Sequence, residues 1–290
     1  MTIEEILAAQ APSGAFRSTV THRGAVFPDE NGFVTALIVY ELLRVPRRFE
    51  PVLPRALDYL ERCRGSMGFH FYPPGEEPEW MGVRLPPDAD DTALMARVLY
   101  EAGRMSLREA RQLVDSALEP HRQHYIPDPV LAWVRPGCYR TWLDRAQRPN
   151  PVDCAVNANV AALLAAIGRR DSPGFPAARD TVVAGVRWAA GVDWRLEMLT
   201  PYYPHPAELF PAVERGIEAG IEEFREIVRP ADSSGDLRCA GSLDRKTWWI
   251  APELQALRNI DGRTQGEHRE PYYPDLRTEL ATGAGAGLRS

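Results

Sequence analysis

Residues 86–94, PPDADDTAL, place three carboxylates, Asp88, Asp90 and Asp91, within four positions directly before a strongly apolar run. Three carboxyls this close do not all ionise comfortably, because like charges raise the pKa of at least one of them. A helix N-terminus, with free N–H groups and the positive end of the dipole, holds the remaining charges as anions. The pattern predicts a buried, hydrogen-bonded carboxylic acid suited to giving a proton to a weakly basic group.

The chain contains its own control on that cluster. A shift of 65 positions lays PPDADDTALMARVLYEAG on PVDCAVNANVAALLAAIG, matching Pro86 with Pro151, Asp88 with Asp153 and Gly103 with Gly168. A shift of 57 lays Thr35, Ala36, Leu37 and Leu42 on Thr92, Ala93, Leu94 and Leu99. Asn31, Asp88 and Asp153 then occupy one position, each a short polar side chain suited to an N-cap. Asp90 corresponds to Phe33 and Ala155, and Asp91 to Val34 and Val156. A helix start does not need acid there, and a charged, unpaired carboxylate in an apolar slot carries a desolvation cost of several kcal/mol. Asp90 and Asp91 are therefore read as functional, and Asp88 as a cap or a participant.

The third copy adds a polar pair. Asn159 stands where the other copies have Leu37 and Leu94, four residues beyond the Asp90 slot and so on the same helical face. A buried Asn must find a polar partner or cost about 1 to 3 kcal/mol. Asn159 or Asn157 is the expected hydrogen-bond partner of the acid, with packing or helix-start roles as the competing reading.

The elements that carry these residues alternate in kind. The runs 35–43, 91–103 and 156–168 are apolar around most of their circumference, as in helices buried on all sides. Between them, 51–64 and 105–118 carry one apolar stripe (Leu53, Leu57, Leu60; Leu107, Ala110, Val114, Ala117) against charged residues. Buried helices alternating with amphipathic ones predict an all-α fold, a single α/α barrel with an inner and an outer ring, over residues 1–280. Further degenerate units are read at 205–228 and 244–260, and 281–290 as a disordered tail. Loops leading to the inner helices supply Phe33, Trp80, Trp133, Trp142, Tyr202, Tyr203, Phe210, Trp248, Trp249, Tyr272 and Tyr273. Core packing competes with a site role for each of these.

Composition narrows the partners. The 290 residues are 44% hydrophobic and 26% charged with a net charge of -6, which gives no electrostatic case for nucleic acid or an anionic membrane. No apolar run approaches the roughly 20 residues of a membrane span. Four scattered cysteines in no zinc pattern and an acidic N-terminus without a signal-peptide pattern lead to the expectation of a cytoplasmic protein.

The segment DADDTA resembles the DxDD acid motif of class II terpene cyclases, and the resemblance extends to the α/α repeats and aromatic loops over most of the chain. It implies that Asp90, the middle acid, protonates a terminal alkene or epoxide, with Asp88 and Asp91 positioning and polarising it. The familiar enzymes enclose their cavity between two barrels, whereas this length makes one. The chain is most similar to monodomain cyclases of prenylated aromatic acids, which implies a diphosphate-free polyprenyl substrate and no cofactor. Aromatic faces suit carbocations and exclude water.

Alternatives remain on the residues. A prenyl diphosphate substrate would call on Mg²⁺ and on basic groups such as Arg23 and Arg84, in a chain whose one lysine is Lys246. A zinc prenyltransferase subunit would need a set such as Asp236, Cys239 and His268. A glycosidase would need a second acid at Asp153, Asp244 or Glu208. A noncatalytic toroid would leave Asp90 and Asp91 unexplained.

Overall fold

A computed structural model describes residues 8–22, 25–44, 50–81, 84–126, 132–144, 146, 150–189, 193–202 and 209–227, together with the backbone of 247–249 and 272–274. The side chains of residues 19–22, 25, 26, 80, 193, 194 and 197 lie outside that description. Strands β1 (Arg17–His22) and β2 (Ala25–Glu30) lead into α1 (Gly32–Leu42) and α2 (Leu53–Arg62). Strands β3 (Arg64–Gly65) and β4 (Gly68–Phe69) precede α3 (Ala89–Glu101) and α4 (Leu107–Leu113). Strands β5 (Arg122–Gln123) and β6 (Cys138–Tyr139) precede α5 (Cys154–Ala166), α6 (Gly174–Ala189) and α7 (Asp193–Leu199). Helices α8 (Leu209–Glu218) and α9 (Glu222–Ile227) follow, then strands β7 (Thr247–Trp249) and β8 (Tyr272–Pro274).

The two kinds of helix occupy two layers. Every residue of α1 is buried, as are Ala89–Leu99 of α3 and Cys154–Leu164 of α5, which is why their sequences show no polar face. In α2 only Leu53, Ala56, Leu57, Tyr59 and Leu60 are buried, a single stripe against wet Arg, Asp and Glu. Helix α1 packs on α3, α3 on α5 and α5 on α8, while α2 packs on α1, α4 on α3, α6 on α5 and α9 on α8 and α6. Tyr40 Oη of α1 donates to Glu218 Oε2 of α8 at 2.5 Å, beside an Arg44–Glu218 ion pair. No helix among the described residues is long and apolar enough to cross a membrane.

The inner helices start alike because their caps are alike. Asn31, Asp88 and Asp153, all extended in backbone, accept hydrogen bonds from first-turn N–H groups of α1, α3 and α5. Four residues after each cap, a side chain takes the backbone N–H of an aromatic residue from the preceding segment. Phe16 N donates to Thr35 Oγ1 (3.1 Å), Phe69 N to Thr92 Oγ1 (2.9 Å) and Tyr139 N to Asn157 Oδ1 (2.9 Å). This clamp needs close approach: Gly68 has φ +139°, and a Cβ there would stand 2.5 Å from Thr92 Oγ1. The segment after each clamp then crosses the N-terminus of the preceding inner helix. Gly32 N donates to Phe71 O and Ala89 N to Thr141 O, both at 2.7 Å.

The described residues are mostly helical, as the all-α reading expects, with the two-residue ladders and the β1–β2 hairpin, paired antiparallel from Arg17↔Glu30 to His22↔Ala25, as minor strand content. Two expectations are corrected. Residues 244–260, read as a helical unit, include the strand β7, paired with β8 as Trp248↔Tyr273 and Trp249↔Tyr272. Thr-Trp-Trp is β-branched and aromatic, which favours a strand over a helix turn. Leu107, expected on the apolar stripe of α4, is 39% exposed, because it opens the helix ahead of the packed residues Ala110, Val114 and Ala117. Within the unit read at 205–228, residues 209–218 and 222–227 form the helix pair α8 and α9, 205–208 and 228 lying outside the described residues, and α6 is the amphipathic helix that follows α5.

Candidate active site

The first turn of α3 delivers Asp88, Asp90 and Asp91 to the interior, 8%, 3% and 1% exposed. Asp88 is the cap: its Oδ1 accepts the Asp91 backbone N–H at 2.7 Å. Asp153 caps α5 in the same way, Oδ1 accepting from Ala155 N at 2.7 Å and Val156 N at 3.3 Å, while Oδ2 faces Tyr202 N at 3.5 Å.

Asp90 stands between these caps. Burial, followed by the charge of Asp90, pushes Asp88 up to about 7 and Asp153 up to about 8. Asp88 and Asp153 therefore hold their protons to much higher pH than ordinary carboxyls. Asp91 points elsewhere. Its charge, after burial, raises the thiol of Cys63 at the end of α2.

Asn159 Nδ2 donates to Asp90 Oδ1 at 2.6 Å, and Asn159 Oδ1 accepts from Arg215 Nε at 2.9 Å. A guanidinium has donors only, so Arg215 fixes which end of the amide faces Asp90. Arg215 is 2% exposed and is held in turn. Its carbonyl accepts from Arg97 Nη1 at 2.8 Å, Arg97 Nη2 donates to Tyr40 Oη at 2.9 Å, and Arg97 Nε reaches Glu101 at 2.7 Å. The two guanidiniums lie 6.0 and 4.9 Å from the Tyr40 ring centroid. A polar file thus runs from the acid to the opposite ends of α1, α3 and α8.

Of the two asparagines expected near the acid, only Asn159 reaches it. Asn157 carries the clamp, donating also to Tyr139 O (3.0 Å) and Asp153 O (2.8 Å). It occupies the slot of Thr35 and Thr92, so the repeat alignment already contained its structural role.

The aromatic residues divide. Trp142 follows the Thr141 crossing and bridges Asp88 through its backbone. Its Nε1 donates to Tyr202 Oη at 2.6 Å, with the rings edge-to-face at 5.4 Å. Burial, then the charges of Asp153 and Asp88, raise the Tyr202 phenol, which places this pair beside the acids. Phe33, in the Asp90 slot of α1, stacks on Phe71 at 6.4 Å, and Phe71 meets Tyr72 edge-on at 5.0 Å. Trp133 is not in this group: it packs on Trp188 of the outer helix α6 at 6.3 Å. Phe210 is half-buried in the first turn of α8. The side chains of Trp80, Trp248, Trp249, Tyr272 and Tyr273, and all of Tyr203, lie outside the described residues.

Residues invoked by the alternative chemistries fall mostly outside the description: Arg23, Glu208, Asp236, Cys239, Asp244, Lys246 and His268. Arg84 is exposed and 3.9 Å from Glu77. Among the described residues no three His, Cys, Asp or Glu side chains are grouped to hold a metal ion. Sequence reasoning missed Arg215, although Pro211 and Ala212 lie four and three residues before it on the buried face of α8. It also treated Asp153 only as a cap or a distant second carboxylate.

Compared with models of known protein families and with curated proteins, the chain matches none.

Proposed function

We propose that this chain is a class II-type terpene cyclase, in which Asp90 protonates the terminal alkene or epoxide of a polyprenyl chain. On this reading α1, α3, α5 and α8 are inner helices and α2, α4, α6 and α9 outer helices of one α/α barrel. The observation that carries the proposal is the environment of Asp90: an acid in a slot that is apolar in the other repeats, donated to by one amide and set between two carboxyls that retain protons.

Each part supports proton delivery. A hydrogen bond donated to Oδ1 stabilises the carboxylate formed when the acid proton leaves, which strengthens the acid. Asp88 and Asp153, both committed to helix caps, limit the negative charge around Asp90 at neutral pH. Trp142 and Tyr202 offer aromatic faces beside the acid where a carbocation would develop. The preferred substrate is a polyprenyl chain on an aromatic carboxylic acid, cyclised without loss of diphosphate. In that role Asp153 is not a second catalytic carboxylate, since both its oxygens face backbone N–H groups.

The test is incubation of the protein with farnesyl- and geranylgeranyl-benzoic acids beside the free diphosphates, with and without EDTA. Cyclised product from the benzoic acids, retained in EDTA and lost in Asp90→Asn, is the expected result. Product formed by Asp90→Asn at the wild-type rate would remove Asp90 from the role of acid.

A further inference from the structure

We propose that Arg215 is a positioning residue for the acid, one that locks the Asn159 amide with its NH2 group on Asp90. The inference rests on the proposed role of Asp90 and goes beyond it to a residue on a different helix.

An asparagine amide is nearly symmetric in shape and can turn end for end, and the two orientations have opposite consequences here. With Nδ2 toward Asp90, the amide donates to Oδ1 and leaves the acid proton for the other carboxyl oxygen. With Oδ1 toward Asp90, the amide would accept that proton and hold it away from a substrate. Arg215 Nε–H at 2.9 Å from Asn159 Oδ1 forbids the second orientation, because turning the amide would bring N–H against N–H. The lock has a rigid base. Arg215 is tied through its carbonyl to Arg97, and both guanidiniums lie against the Tyr40 ring between α1 and α8. Among the described residues, the charged and titratable groups around Asp90 include Asp88 from the α3 cap and Asp153 from the α5 cap, with Tyr202 beyond them and Arg215 behind Asn159.

Removing Arg215 acts on Asp90 in two ways, by loss of a charge and by release of the amide, and a double-mutant cycle with Asn159→Leu separates them. Arg215→Leu is expected to lower kcat about tenfold or more with KM changed much less, whereas Arg215→Leu placed in Asn159→Leu changes kcat little further. Arg215→Lys, which keeps a donor, recovers part of the loss. Because Arg215→Leu also tests packing, each variant is compared by thermal unfolding and by ¹³C-carboxyl titration of labelled aspartate without substrate, the Asp90 signal assigned through Asp90→Asn. A shift of the Asp90 midpoint on Arg215→Leu that vanishes in the Asn159→Leu background supports the lock. A shift of equal size in both backgrounds is a charge effect alone and overturns it. Should the wild-type protein cyclise none of the prenyl substrates, the proposed function fails, while the titration cycle still decides whether Arg215 sets the amide.

Discussion

The starts of α1 and α3 are the same structure with different contents. Both have a polar cap (Asn31, Asp88), a threonine clamp (Thr35, Thr92) and a covering segment that accepts the first helical N–H (Phe71 O, Thr141 O). They differ two residues after the cap. Phe33 fills that slot in α1 by stacking on Phe71, and Asp90 fills it in α3 by taking a hydrogen bond from a third helix. The cap and clamp recur because folding needs them at every copy. The carboxylate occurs once among the three aligned starts, and the proposed function is what gives it a purpose there.

That contrast is open to attack by exchange. Asp90→Phe, importing the α1 residue, and Asp90→Asn should both fold, and both should lose the proposed cyclisation, with about a hundredfold or greater drop in turnover. Asp90→Asn keeps the volume and serves as the cleaner test; full activity in product analysis would dissolve the distinction between the two helix starts.

A smaller effect comes from the clamp. Thr92→Val leaves the buried Phe69 N–H without its acceptor and should cost about 1 to 3 kcal/mol by denaturant unfolding. Asn157→Thr, which imports the clamp residue of the other copies, should cost less than about 1.5 kcal/mol and leave turnover near wild type. A collapse of turnover in Asn157→Thr without loss of stability would return Asn157 to the acid.

The pH dependence of stability separates cap from site in another way. Asp88 and Asp153 have folded pKa values near 7 and 8, above the ordinary value of 3.8. The folded state binds these protons more tightly than the unfolded chain, so the contribution is fully present below about pH 4 and is lost as pH rises towards 8. Thermal midpoints should accordingly fall between pH 5 and pH 8.5 on account of these two groups. Asp153→Asn, which keeps a capping oxygen as Asn31 does, should flatten that slope; an unchanged slope would place the titration elsewhere. The smallest expected effect is Trp142→Phe, which loses the bond to Tyr202 and should cost about 1 kcal/mol.

Legibility followed periodicity. The inner helices, their caps and the contrast of Asp90 with Phe33 and Ala155 were readable because repeats align residue by residue. So was Asn159, a polar residue in a leucine slot. Asn157 misled because an asparagine and a threonine make the same backbone clamp with different atoms, and only the partner Tyr139 N reveals the equivalence. Arg215 was hidden for a different reason: α8 belongs to a degenerate copy, and an arginine on an amphipathic helix reads as solvated until the Arg97, Tyr40 and Asn159 contacts are seen. Trp133 and Trp142 lie nine residues apart in one loop region, and composition alone cannot say which of them turns outward to Trp188.

The crossing segments carry a consequence for assembly. Ala89 at the start of α3 waits for Thr141, more than fifty residues later in the chain, and Asp153 is met by Tyr202, about fifty residues after it. The starts of α1, α3 and α5 are therefore completed by residues synthesised after them. A nascent chain that ends before Thr141 contains the whole DADDTA segment and its Phe69 clamp, but neither the crossing segment nor the asparagine that holds Asp90. Asp90 thus receives its amide donor from downstream, and its hydrogen-bonded setting comes into being only after most of the residues that enclose it have been made.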